Sequence, residues 1–116
     1  MARFRFAPRE HLRRKADFDA VFRNRKSARD LRLIVHLRPN GFAFSRLGLS
    51  VGGKFGNACR RNHFRRLCRE AFRLHKRELP AGFDLVVRPA ASIGWKLPEI
   101  AESLVRLVKS LCEASA

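Results

Sequence analysis

Residues 56–77, GNACRRNHFRRLCREAFRLHKR, constrain the fold of this chain more than any other segment. Wound as a helix at about 100° per residue, the segment places its apolar side chains within about 80° of Phe64. These are Leu67, Cys68, Ala71, Phe72, Leu74 and His75. The opposite side carries cations and one amide, namely Asn62, Arg65, Arg66, Arg69, Arg73, Lys76 and Arg77. The pattern predicts a helix with one face in the core and a basic face in solvent.

The charge of the whole chain indicates a polyanionic partner. Its 116 residues include 26 Lys and Arg against 10 Asp and Glu, which gives a net charge of +16 at pH 7. Up to Arg77 the counts are 22 against 5, and from Glu78 onward they are 4 against 5. Because arginine donors form forks that match phosphate oxygens, the first two thirds are predicted to bind a nucleic-acid backbone. The last third is predicted to be scaffold.

Length and composition predict a single domain over residues 1–116 with one modest core. Residues 1–15 are basic and interrupted by Pro8, which favours an extended basic arm. They have no apolar stretch of a signal peptide, and no later run is apolar enough to span a bilayer. We therefore expect a cytoplasmic protein with no membrane partner and no small-molecule substrate. Cys59, Cys68 and Cys112 form no CxxC pair and are interpreted as reduced thiols, two of them on apolar stripes.

Hydrophobic periodicity and turn signals predict seven main elements in the order αβββαβα, which is an α+β domain. The first helix carries a stripe of Phe18, Val21 and Phe22, and Asn57 is the predicted N-cap of the basic helix. The predicted elements are a helix over 16–24, a short edge strand over 27–30, a strand over 31–37 with a hairpin partner over 42–51, the basic helix over 57–78, a buried strand over 83–89 and a final helix over 98–112.

The residues that could carry chemistry are few. The four histidines are scattered, and no paired carboxylates or metal-ligand spacings occur, so neither a catalytic residue nor a metal site is predicted. His75 lies on the apolar face of the basic helix and is interpreted as a core histidine. Gly52-Gly53-Lys54 lacks the spacing of a P-loop; it is either a flexible turn or a phosphate contact through Lys54.

Phe18 and Phe22 have two interpretations. As an i, i+4 pair on a short helix they suit a core. Alternatively, one edge of their stripe lies in an open groove and stacks unpaired bases, with His36 of the following strand on the floor of that groove.

The segment GNACRRNHFRRLCREAFR resembles the signature helix of the bacterial ribonuclease P protein component, in which an RNR triplet and a basic pair precede R-x-x-F. Three further segments resemble that family in the same order: HLRRKADFDAVF, RLGLSVGGKFGNA and DLVVRPAA. Together the matches cover most of residues 11–91. The resemblance implies a two-layer α-β sandwich with a small mixed sheet and a left-handed βαβ crossover, against the usual right-handed preference.

The resemblance also implies a function. The protein is expected to assist a catalytic ribonuclease P RNA, working through Mg²⁺ held by that RNA, in removing the 5′ leader of precursor tRNA. The protein is expected to be non-catalytic by itself. The implied signature residues are Arg61, Asn62, Arg65, Arg66 and Arg69, and the charge pattern adds Arg60, Arg73 and Lys54. The implied leader cleft contains Phe18 and Phe22, with His36 as the candidate in the second strand.

The chain departs from the family pattern at the third position of the triplet, which is His63. A neutral imidazole cannot make the forked contact of an arginine, and Arg60 is placed to compensate. A different class of function, a ribosomal or other structural RNA-binding protein, is consistent with the same charge and size. Only a leader-binding protein should prefer precursor tRNA over mature tRNA.

Overall fold

A computed structural model of the chain describes residues 8–92 and 95–114. The order αβββαβα predicted from the sequence is confirmed. Asn57 is the N-cap of the basic helix, since its side-chain oxygen accepts a hydrogen bond of 2.9 Å from the backbone N–H of Arg60. The helices are α1 (Lys15–Arg23), α2 (Ala58–Leu74) and α3 (Leu97–Ala114), and the strands are β1 (Ser27–Arg29), β2 (Leu33–Pro39), β3 (Arg46–Leu49) and β4 (Phe83–Pro89).

The four strands form one mixed sheet in the spatial order β1-β2-β4-β3. β4 is antiparallel to β2 along its whole length, from Leu33 opposite Pro89 to Pro39 opposite Phe83, and parallel to β3. The prediction that residues 42–51 pair with β2 as a hairpin is therefore wrong. β4 takes that place because it is the more continuously apolar strand, and central strands are buried on both faces. The parallel pair β3 and β4 is joined through α2; the hand of this crossover stays a prediction.

One face of the sheet packs against α2 and α3. Alternate residues of β2 point to this face, and Leu33, Val35 and Leu37 are all buried there. From α2 the face receives the following buried side chains: Phe64, Cys68, Ala71 and Phe72. From α3 it receives the apolar stripe of Ile100, Leu104, Leu107, Val108 and Leu111. The predicted apolar face of α2 is thus core-facing from Phe64 to Phe72, and the stripe of α3 packs on the same core.

The opposite face of the sheet carries α1. Val21 is fully buried and forms a second small core with Leu12 and Val86, against which Phe18 packs. Gly48 of β3 allows this approach, because a Cβ built there would lie 2.7 Å from Cζ of Phe18. The main layers are therefore the sheet and the α2–α3 pair, with α1 added on the free face.

The described part of the predicted basic arm is folded, which corrects the expectation for residues 8–14; residues 1–7 lie outside the described residues. The backbone N–H of Leu12 donates to the carbonyl oxygen of Leu47 at 2.9 Å. Glu10 is buried and its carboxylate accepts from Nζ of Lys76 at 2.6 Å. An apolar anchor and a paired carboxylate thus hold the segment against β3 and the turn that follows α2.

The C-terminal end of α2 also differs from the prediction. The helix ends at Leu74 and is followed by turns, so residues 75–78 are outside it. Leu74 is exposed, because its direction lies at the margin of the apolar face. His75 is the C-cap and only half-buried, and its Nδ1 contacts the carboxylate of Glu78. The interpretation of His75 as a core histidine is therefore wrong.

Candidate nucleic-acid interface

The basic face of α2 presents its central arginines to solvent. Arg66 and Arg69 are exposed, and neither forms an ion pair within the described residues. Arg65 is half-buried and its Nη1 donates to Oδ1 of Asn62 at 2.8 Å, so that one side chain orients the other. Glu70 is the single acidic residue of the helix. The middle of α2 thus carries more cations than anions, and these cations lie in a row along the helix.

The cations toward the two ends of α2 are engaged within the protein. Arg60 donates from Nε to the carbonyl oxygen of Phe55 at 3.1 Å, and its guanidinium lies 4.5 Å from the ring centroid of Trp95. Gly56 makes room for Arg60, since a Cβ there would lie 2.5 Å from its Cδ. At the other end, Arg73 donates hydrogen bonds to the Glu70 carboxylate, which lowers the pKa of Glu70 and raises that of Arg73.

The other predicted RNA ligands near the start of α2 differ in accessibility. Arg61 is half-buried, whereas His63 is exposed. Lys54 lies in a short 3-10 turn, with Nζ 5.1 Å from the ring centroid of Phe55. All the predicted arginines therefore lie on one helix. Arg66 and Arg69 are exposed, and the hydrogen bond of Arg65 is to Asn62 on the same face.

A cavity of about 270 Å³ connects α2 with the segment before α1, around the edge of β3. It is lined by Arg65 and Arg69 from α2, by Leu47 and Leu49 from β3, and by residues 11–13. Arg13 is exposed and adds its charge to this edge. From the sequence, Arg13 was predicted only as part of the basic arm. The feature that could have predicted its position beside β3 is Leu12, a lone apolar residue within a basic run.

The predicted leader-cleft residues converge on the face of the sheet that carries α1. The rings of Phe22 and His36 meet edge to face, with centroids 4.8 Å apart and planes at 80°. Phe22 keeps 37% of its surface exposed, whereas Phe18 packs against the second small core. The two interpretations of these phenylalanines therefore apply to different residues: Phe18 is chiefly core, and Phe22 is open to a ligand.

His36 is held as a hydrogen-bond acceptor beside Phe22. Nε of Arg88 donates to Nε2 of His36 at 3.2 Å. Burial lowers the pKa of His36, and the nearby charge of Arg88 lowers it further. The imidazole is therefore neutral at neutral pH. Arg88 was missed by sequence analysis, although strand alternation places it on the same face as Val86.

A second cluster of polar groups lies on the same sheet face, around Asp84 of β4. Its carboxylate is fully buried and accepts from Nε and Nη2 of Arg46 at 2.8 and 2.7 Å, from Nδ2 of Asn40 at 3.0 Å and from Nη2 of Arg38 at 3.3 Å. Burial by itself raises the pKa of Asp84, but the hydrogen bonds and charges of these partners outweigh it and lower the pKa. The cluster is a fixed array of arginines around one anion.

No three His, Cys, Asp or Glu side chains among the described residues converge on a site that could hold a metal ion. None of the described helices combines the length and apolar character that crossing a membrane requires.

Comparison with known proteins gives a consistent result. The family model described as Ribonuclease P matches residues 6–112. The ribonuclease P protein component of Thermotoga maritima is 39% identical over 111 residues, which cover 91% of this chain and 95% of that protein. A solved structure of the Thermotoga maritima protein superposes with a TM-score of 0.79, 39% identity, and coverage of 87% of this chain and 96% of the other. The Staphylococcus aureus protein gives 0.76 at 28% identity, with 87% and 94% covered.

Proposed function

Because this chain belongs to the bacterial ribonuclease P protein component family, we propose that it binds RNA through two surfaces, the basic face of α2 and the groove beside α1. The family assignment makes the chain the non-catalytic protein subunit of ribonuclease P, an endoribonuclease that processes precursor tRNA.

The α2 surface is proposed to bind the catalytic ribonuclease P RNA. The observation that carries this proposal is the row of Arg65, Arg66 and Arg69, which face outward along a helix with one acidic residue. Guanidinium groups spaced along a helix can each contact a backbone phosphate without reading a base. Arg60, Arg61, Asn62, Arg73 and Lys54 complete the proposed contact set at its margins.

The groove beside α1 is proposed to bind the 5′ leader of precursor tRNA. A leader is single-stranded, so its bases are free to stack on an exposed ring. Phe22 offers that ring, and His36 supports it from the sheet. Phe18 contributes by fixing α1 against the sheet rather than by offering a free face.

We further propose that Mg²⁺ is held by the RNA subunit and that the protein works in the cytoplasm. The described residues present no carboxylate cluster that suits a hard divalent cation. What the protein supplies is positive charge that offsets repulsion between RNA strands.

The experiment that tests the α2 surface is the salt dependence of binding to the catalytic RNA. Replacing both Arg65 and Arg69 by Ala should lower the slope of log K against log salt by roughly 1.4–1.8, at about 0.7–0.9 per lost phosphate contact. Lys109→Ala, on the exposed side of α3, is the control and should leave the slope unchanged. An unaltered slope in a folded double variant would place the two arginines away from RNA.

The groove is tested by comparing precursor tRNA with mature tRNA. Phe22→Ala should weaken holoenzyme binding of the leader-bearing substrate by about 1–3 kcal/mol, the usual value of one stacked base, with little effect on mature tRNA. Leu31→Ala is the control, because it truncates a side chain that is 90% exposed and lies between Asp30 and Arg32, which both hydrogen-bond to α3. Equal losses for both substrates would exclude leader stacking at Phe22.

A further inference from the structure

A second concave surface lies at the N-terminal end of α1, and none of the leader-groove residues lines it. Its volume is about 520 Å³, within the ~300–1,000 Å³ range of ligand pockets. The lining comprises His11, Arg13, Arg14, Asp17, Arg38, Asn40, Phe42 and Arg46. Four arginines therefore surround it, against the single carboxylate of Asp17, which itself lies 3.6 Å from Nη1 of Arg46.

Phe42 is an exposed aromatic ring that the loop between β2 and β3 holds in place. It keeps 48% of its surface accessible and stacks on Phe44, with centroids 5.3 Å apart and planes at 6°. The backbone N–H of Phe42 donates to Oδ1 of Asn40 at 2.7 Å. Two cations flank the pair, since the guanidinium of Arg9 lies 4.4 Å from the Phe44 centroid and that of Arg46 lies 5.1 Å from the Phe42 centroid.

This arrangement suits an unpaired nucleotide. An exposed ring fixed before binding loses little side-chain entropy when a base stacks on it. Arg13 and Arg14 are exposed and form no ion pair within the described residues, so their charges remain available for phosphate oxygens. Arg38 and Arg46 are held by hydrogen bonds to the buried carboxylate of Asp84, and Phe42 keeps 48% of its surface accessible although the Arg46 guanidinium lies over its ring.

We propose that this pocket is a second nucleotide site, in which an unpaired RNA base stacks on Phe42 and the adjoining phosphates contact Arg13 and Arg14. The inference rests on the proposed RNA-binding function. Its ligand comes either from a distal part of the leader or from an unpaired loop of the catalytic RNA. The chemistry is the same in both cases, and the two sources are distinguished by the test.

The test uses the reconstituted holoenzyme with precursor tRNAs of short and long leader, and the protein with the catalytic RNA alone. Phe42→Ala should weaken binding of one of these RNAs by about 5- to 140-fold, the equivalent of one lost stacked base. Phe42→Leu keeps an apolar side chain but removes the aromatic face, and should show a similar loss. Phe42→Trp should bind normally, and Leu31→Ala serves as the exposed apolar control.

Each outcome decides a point. A loss confined to the long-leader precursor assigns the pocket to the leader, and a loss for the catalytic RNA alone assigns it to that RNA. Normal binding by folded Phe42→Ala and Phe42→Leu would overturn the inference. So would an equal loss for precursor and mature tRNA, measured in parallel, while binding of the catalytic RNA stays normal. If those two variants bind normally while Phe22→Ala and the Arg65, Arg69 variant lose binding as expected, the proposed function stands and the second site does not exist.

Discussion

Asp84 holds two arginines in place on the sheet face that carries α1. Its carboxylate is fully buried and accepts from both Arg46 and Arg38, with Asn40 as a neutral third donor. Removing one partner of a buried ion pair is costly, because the opposite charges remain desolvated without compensation. The residue is therefore structural, although it lies beneath a surface proposed to bind RNA.

Asp84→Asn should lower the free energy of unfolding by about 3–5 kcal/mol, measured by urea denaturation at pH 7. The matched control is Glu70→Gln, which removes the carboxylate of an exposed pair with Arg73 and should cost about 0–1 kcal/mol. Similar losses of unfolding free energy in the two variants would show that the buried pairs of Asp84 stabilise the fold no more than an exposed ion pair does.

His36 gives the protein a defined sensitivity to acid. The folded-state pKa is lowered by burial and by Arg88, so the folded protein binds fewer protons than the unfolded chain. The stabilisation is present above the unfolded pKa of about 6.5 and is lost as the pH falls through the lower folded value. Protonation also converts Nε2 from acceptor to donor opposite Nε of Arg88.

The corresponding experiment compares unfolding free energies at pH 7.5 and pH 5.5 in the native protein and in His36→Gln, whose amide oxygen can still accept from Arg88. The native protein should lose more stability on acidification than the variant. The other three histidines are common to both proteins, so they cancel in the comparison. An identical loss in both would contradict the assignment of a lowered pKa to His36.

At the scale of elements, the packing of α1 against the sheet depends on Gly48, which has no side chain. A Cβ at Gly48 would lie 2.7 Å from Phe18 and 3.0 Å from Leu12, so Gly48→Ala must push the helix outward. Overpacking of this kind typically costs about 1–3 kcal/mol. We expect that loss in urea denaturation, together with weaker binding of precursor tRNA because Phe22 moves with the helix.

Gly52→Ala is the matched control for Gly48→Ala. Nothing lies within 4 Å of a Cβ at Gly52, and its φ of −74° is accessible to alanine. This variant should have native stability and native leader binding. A Gly48→Ala protein as stable as the Gly52→Ala protein would mean that α1 is not tightly seated.

The elements also show what sequence patterns can and cannot predict here. The cap, core face and arginine row of α2 follow from residues three and four apart, and all were predicted. The partner of β3 depends on a strand about forty residues later, and local alternation carries no information about that pairing. The sequence and the family resemblance predicted that Phe22 and His36 share one groove, but not their edge-to-face contact. Arg88 and Arg13 were missed because only the folded sheet brings them to the grooves.

At the scale of the whole molecule, the protein contributes positive charge to the ribonucleoprotein and not catalytic groups. Phosphodiester hydrolysis requires an activated nucleophile and stabilisation of charge on the leaving oxygen. Purified protein should therefore cleave nothing, and the RNA subunit without it should still cleave slowly when Mg²⁺ is raised. Replacing each histidine in turn should leave cleavage by the holoenzyme intact at saturating Mg²⁺, provided that the variant folds.

That prediction is checked by cleavage assays on protein rigorously freed of RNA. Metal-dependent cleavage that disappears on changing a single Asp, Glu or His would reverse the assignment of catalysis to the RNA subunit.

The position of β4 between β2 and β3 determines when the molecule can fold. During synthesis, β3 has no strand to pair with until residues 83–89 have left the ribosome, because none of its ladder hydrogen bonds is made to β1 or β2. The segment around Leu12 is synthesised before β3, so its backbone hydrogen bond to Leu47 cannot form until β3 has been made. Pairings between residues so far apart in sequence slow folding. The strongly basic part of the chain, up to Arg77, is thus translated before the strand that completes its sheet, and it cannot finish folding until β4 has been made within the segment from Glu78 onward, whose 4 Lys and Arg nearly balance its 5 Asp and Glu.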